Sequence, residues 1–326
     1  MSRKIMLLLL LISLVIVLSV ATLMFGNHIY SFNQLFHLTA ANHNDYFILH
    51  EVRLPRLILN LFCGMLFALA GSLFQAVYKN PVVSPDILGV NAIAIFTILL
   101  FSNWFGSQYS LFVYALFGVV GGFALTMTLA TTHKKIVTTR LIVIGLAVSI
   151  LFRALAQLMV LQSNEGLYGI LAFLNGTLYQ VSWESLSLIT YPTLIFIAIC
   201  LLSARYLDVI LLNKSIVKTI GMNLSFWQWF FIALGLLMSA VAISASGSLG
   251  FIGLIAPNIS RLIFGFSHRY NLYGSLLIGC ILILGSDLIG RMIFYPLEIP
   301  AGIIMVFIGA PIFIYLLKDV GRRRYG

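Results

Sequence analysis

Long uninterrupted runs of apolar residues, separated by short polar stretches, set the pattern of this chain. Strands of a membrane barrel would alternate in polarity; continuous runs argue for helices. A helix needs about 20 apolar residues to cross the hydrocarbon of a bilayer. By that measure the runs at 5–25, 57–77, 87–103, 111–130, 141–161, 186–204, 226–245, 247–261, 272–289 and 303–317 predict about ten spans. Between the second and third runs, Pro81 and Pro85 keep the backbone from continuing as helix. The eighth run carries Gly250, Gly253 and Pro257 and is expected to be kinked or closely packed. The stretch 162–184 is amphipathic and reads as a short helix and turn at the membrane interface.

Composition turns this pattern into a class. The chain has 326 residues, 61% hydrophobic and only 9% charged, with a mean hydropathy of +1.07. Soluble domains carry roughly 25% charged residues, so the sequence predicts an all-α, multi-pass membrane protein forming one domain over 1–326. The first run exceeds the roughly 7–15 residues of a signal-peptide core and is expected to remain as a helix. Cys63, Cys200 and Cys280 lie singly inside apolar runs and read as small buried hydrophobes. The net charge of +10 is dispersed at the ends of runs, as membrane orientation requires, and no nucleic-acid partner is expected.

Charge then gives an orientation. With both termini cytoplasmic, all of the 19 basic residues fall at inner ends and loops except Arg53, Arg56, Arg153 and Arg291. Arg153 sits within a span, where an arginine must face protein or water; a pairing with an acid or a helix-end carbonyl is favoured over a substrate role. The other three are outside. A planar guanidinium suits carboxylates on a soluble partner. Spacing alone leaves a second reading open, headgroup anchoring or internal pairing such as Arg53 with Glu51 or Arg291 with Asp287. Between the sixth and seventh spans, Leu212, Asn213, Lys214, Ser215, Ile216, Val217, Lys218, Thr219, Ile220 and Gly221 predict a short helix. Asn213 is its cap and Gly221 its stop. Ile216, Val217 and Ile220 share one face, Lys214 and Lys218 another.

Several of these motifs together carry a resemblance: Arg53-Leu-Pro-Arg56, Asn80-Pro81 with Pro85 and Leu88-Gly89, Gly250-Phe-Ile-Gly-Leu, Asp287 with Arg291, and Glu298-Ile-Pro-Ala-Gly302. In that order they resemble the permease subunits of binding-protein-dependent ABC importers for iron-siderophores, haem and cobalamin. The resemblance implies two permease subunits, identical or related, two cytoplasmic ATPase subunits and an extracellular or periplasmic substrate-binding protein, in a bacterial cell (inner) membrane. It implies that Arg53, Arg56 and Arg291 dock the binding protein and that 212–221 couples to the ATPase. Thr138 and Thr139 match the family's cytoplasmic gate. The segment 212–221 lacks the acidic start frequent in the family. An iron-siderophore is the expected cargo, with haem, cobalamin or molybdate behind it.

The chain has no Gly-Lys-Ser/Thr phosphate loop, so no catalytic residue and no cofactor or metal of its own is expected; ATP and magnesium belong to the partner ATPase. The rival class is an ion-coupled secondary transporter, which would need ionisable groups at mid-membrane. Arg153 is the one clear candidate.

Overall fold

The computed structural model describes residues 3–26, 28–32, 43–106, 110–132, 135–162, 167–178, 181–212, 214–219, 221–265, 268–294 and 297–325. Helix α1 (Arg3–Met24) is followed by a single turn, His43–Phe47, and a π-helical stretch, Ile48–Arg53, that runs into α2 (Leu54–Val77). Then come α3 (Val90–Phe105), α4 (Leu111–Ala130), α5 (Thr138–Gln162), α6 (Leu167–Leu174) and α7 (Trp183–Leu202). The remaining helices are α8 (Ala204–Leu211), α9 (Lys214–Thr219), α10 (Leu224–Ser246), α11 (Ile252–Phe264), α12 (His268–Met292) and α13 (Ala301–Tyr325). A two-residue ribbon, Thr131–Thr132 against Lys135–Ile136, joins α4 to α5. Among the described residues, seven helices are long and apolar enough to span a membrane, and α3, α11 and 301–315 are shorter apolar helices.

Helix α2 is the hub. It packs against α10, α11 and α12 and is buried along most of its length, whereas α1 and α7 turn mostly apolar side chains outward. Helices in lipid gain little from hiding apolar surface from one another, so close packing through small residues holds them together. Gly64 of α2 lies backbone to backbone on Gly279 of α12, and Gly71 on Gly253 of α11; a Cβ at Gly71 would overlap the Gly253 carbonyl.

The eighth run differs from expectation. Gly247 and Phe251 both take positive φ, +69° and +67°, so the chain stays non-helical through Phe251 and α11 begins only at Ile252. Pro257 deprives the Gly253 carbonyl of its intrahelical donor. The Gln75 amide takes up the slack, donating to the Leu254 carbonyl at 3.1 Å and, more loosely, to Gly253 at 3.5 Å. Gln75 in turn accepts from Arg261 at 2.8 Å.

Candidate functional site

Arg53 and Arg56 stand at the N-terminal end of α2, Arg291 in the last turn of α12. The structure gathers them at one end of the molecule, and all three are buried. Arg56 donates through Nε and Nη2 to Asp287, at 3.0 and 2.7 Å, and through Nη1 to Glu298 at 2.7 Å. Asp287 is shared: its second oxygen accepts from Asn60 at 3.1 Å and lies 3.4 Å from Arg291 Nε. The internal pairing of Arg291 with Asp287 left open by the sequence is present. For Arg53 the alternative pairing with Glu51 gives way to backbone carbonyls.

Arg53 donates to the Leu23 carbonyl at 2.6 Å and to the His28 carbonyl, and Arg291 to the Thr22 carbonyl at 3.0 Å. Thr22 and Leu23 belong to the last turn of α1, where unpaired carbonyls and the helix dipole favour cations. Arg53 also stacks over the Tyr30 ring, 4.8 Å from its centre. Burial and a bond to Asp45 push the Tyr30 hydroxyl above its ordinary value, so it remains a donor. The site is therefore a buried network closed by Asp287 and Glu298. Of the ion-paired side chains here, that of Glu298 is the most accessible, 21% exposed against 9% for Arg56.

At the other end of α2, Lys79 adopts a left-handed conformation, φ +50°. Its ammonium donates to the carbonyls of Leu211 and Leu212, at 3.1 and 3.4 Å. Those carbonyls end α8 and lead into the predicted coupling segment. That segment forms α9 over Lys214–Thr219, with Gly221 at φ +74° after it. Val217 is fully buried, while Ile216 is 46% exposed and Leu212 is also exposed. The face shared by Ile216 and Val217 is thus split between core and surface. Asn213 and Ile220 lie outside the described residues. Thr138 and Thr139 occupy the first turn of α5, the former half-buried and the latter exposed. Arg153, farther along α5, pairs with Asp86 of the connector between α2 and α3 at 3.3 Å.

Sequence reasoning missed Asn60 and Lys79, and it did not join Asp86 to Arg153. Lys79 carried one signal, a basic residue directly before Asn-Pro at a helix end. The partnership of Asp86 with Arg153 had none, since 67 positions separate them.

A family model described as the FecCD transport family matches residues 11–319. The Fe(3+) dicitrate transport system permease protein FecD of Escherichia coli K12 is 34% identical over 281 residues, 85% of this chain and 87% of that protein. The Fe(3+)-citrate import system permease protein YfmE of Bacillus subtilis 168 is 32% identical over 328 residues, 99% of this chain and 97% of that one. Among solved structures, a metal-chelate type ABC transporter in an inward-facing conformation superposes with a TM-score of 0.81 at 30% identity, over 96% of this chain and 99% of its own.

Proposed function

This chain belongs to the FecCD transport family, and on that premise we propose that it is the membrane-spanning permease subunit of an ATP-driven importer bringing a ferric chelate into the cell. The observation that carries this reading is its likeness, along nearly the whole chain, to permeases named for iron-citrate import. Counting the three shorter apolar helices with the seven long ones supports ten spans, and the inward bias of basic residues supports both termini inside; the membrane would be that of a bacterial cell. A second permease subunit would complete the pathway. Two ATPase subunits would hold the ATP and magnesium, and an external binding protein would deliver the cargo. Alternation of the open side would follow closure of the ATPases.

In this reading the arginine end of α2 receives the binding protein and α9 meets the ATPase. Because the arginines are already paired, carboxylates of the binding protein would engage by competing with Glu298, the accessible member of the network. Glu298→Gln is then expected to tighten docking several-fold in nanodiscs, and unchanged affinity would remove Glu298 from the docking surface. A cysteine at Ser215 is expected to crosslink to the ATPase. Thr138 and Thr139 would form the inner gate.

The decisive test is uptake of iron-55 citrate by cells that carry this chain with an active or a catalytically dead partner ATPase. Import should vanish with the dead ATPase. Import that persists would overturn the reading in favour of an ion-coupled carrier.

A further inference from the structure

A cavity of about 260 Å³ lies beside the Asp86–Arg153 pair, and it is built where helices are interrupted. Asp86 comes from the connector between α2 and α3, Asn175 from the end of α6, Ser248 from the break before α11, and Gly302 and Val306 from the start of α13. Irregular backbone within the apolar layer persists only where protein covers it or where it faces a water-filled cavity. These breaks are tied to one another: Thr177 N–H donates to the Ser246 carbonyl at 3.0 Å and Gly302 N–H to the Gly176 carbonyl at 3.1 Å. Two polar groups at the cavity keep capacity in hand. The Ser248 hydroxyl is buried with no partner among the described residues. Arg153 gives one bond, from Nη2 to Asp86, and its side chain is 55% exposed. Its Nε and Nη1 therefore have no acceptor among the described residues.

A half-exposed guanidinium within a spanning helix is costly unless it is matched, and Asp86 matches it one charge for one. A guanidinium presents five donors in a rigid fork, and a carboxylate fits two of them side by side. Asp86 takes a bond from Nη2 alone, and Arg153 itself lines the cavity.

We infer that this cavity is a transient binding site for an anionic carboxylate arm of the transported chelate. The open edge of Arg153 holds the arm, the Ser248 hydroxyl adds a donor, and Asp86 limits the strength of the hold. A cavity of this volume admits one arm of a chelate, not the whole of it. Competition by Asp86 suits a transport path, where a site must attract its cargo yet release it. The identity of the ligand rests on the importer reading; the site itself rests on Arg153, Asp86 and Ser248.

The test uses the full chain with its permease partner in phosphatidylcholine nanodiscs, without ATP or binding protein. Val306 lines the cavity and is 46% exposed, and this chain's three cysteines are buried, so Val306→Cys gives this chain one accessible thiol for a maleimide, read on this chain's own band. Ferric citrate is expected to slow its labelling several-fold, whereas a cationic hydroxamate chelate, ferrioxamine B, should leave the rate unchanged. Adding Arg153→Gln should abolish the protection, and Arg153→Lys, which keeps the charge without the fork, should restore part of it. Asp86→Asn should lower the protecting concentration several-fold. Should Arg153→Gln fold poorly because Asp86 is left alone, Asp86→Asn with Arg153→Gln removes both charges and is also expected to lose protection. Protection that survives either loss of Arg153, or that ferrioxamine B provides equally, overturns the assignment. Failure of protection would leave ATP-driven uptake intact, and failure of ATP-driven uptake would leave protection intact, so the two results separate the site from the importer reading.

Discussion

Asp287 faces two buried arginines with one carboxylate, and Asn60 directs a further donor at it. Removing one member of a buried ion network leaves its partners charged and desolvated, at a cost of about 3–5 kcal/mol. Asp287→Ala is therefore expected to lower the thermal stability of the purified chain severely. Replacing Arg291 by Leu in the same variant should recover part of the loss, because Arg56 keeps Glu298 whereas Arg291 loses the carboxylate it faces. A melting temperature unchanged by Asp287→Ala would show that the network contributes nothing to the fold. The sequence made some of this network legible. Asp287 and Arg291 are one helical turn apart, and the count of basic residues singled out the same three arginines that the structure gathers. What it hid were partners without a residue signature: the Thr22 and Leu23 carbonyls that receive Arg291 and Arg53. Burial of the arginines was also hidden, since it depends on α1 covering them.

At the scale of elements, the long runs gave α1, α2, α4, α5, α7, α10 and α12 to within four residues at each end, because length and continuity suffice to mark a spanning helix. Breaks were harder. The α8 helix lies in a stretch that Arg205 and Asp208 make look like a polar loop. Its signal was the spacing of Ala204, Leu207 and Ile210, all buried in the fold. The delay of α11 to Ile252 comes from a left-handed Phe251, which no propensity would favour. Glycine pairs decide how closely α2 meets its neighbours. Gly71→Ala would drive a methyl into the Gly253 backbone, and α2 and α11 would have to separate. Overpacking of this kind costs about 1–3 kcal/mol or more. The variant is expected to yield little monodisperse protein in detergent, whereas Gly121→Ala, where a Cβ meets open space, should behave as the parent. Equal yields would mean that the α2–α11 contact relaxes freely.

Across the whole molecule, α2 joins with one continuous helix the two ends to which the importer reading assigns docking and coupling. Its 24 residues span about 36 Å at 1.5 Å per residue, from the arginine network to Lys79. Lys79 grips the carbonyls of Leu211 and Leu212, where a cation is favoured by the end of α8. In the proposed importer, movement of α9 against an ATPase would thus reach α2 directly, and α2 would carry it to the side proposed to receive the binding protein. Lys79→Ala is expected to reduce stimulation of ATP hydrolysis by the binding protein several-fold while leaving docking affinity unchanged. Lys79→Gly separates backbone from side chain: it relieves a left-handed conformation worth roughly 1 kcal/mol yet should uncouple as fully as alanine. Lys79→Arg, which keeps a cation within reach of the carbonyls, should retain most of the stimulation. Full stimulation in the glycine and alanine variants would mean that the two ends communicate by another route, for which α10 and α12, both packed along α2, are long enough.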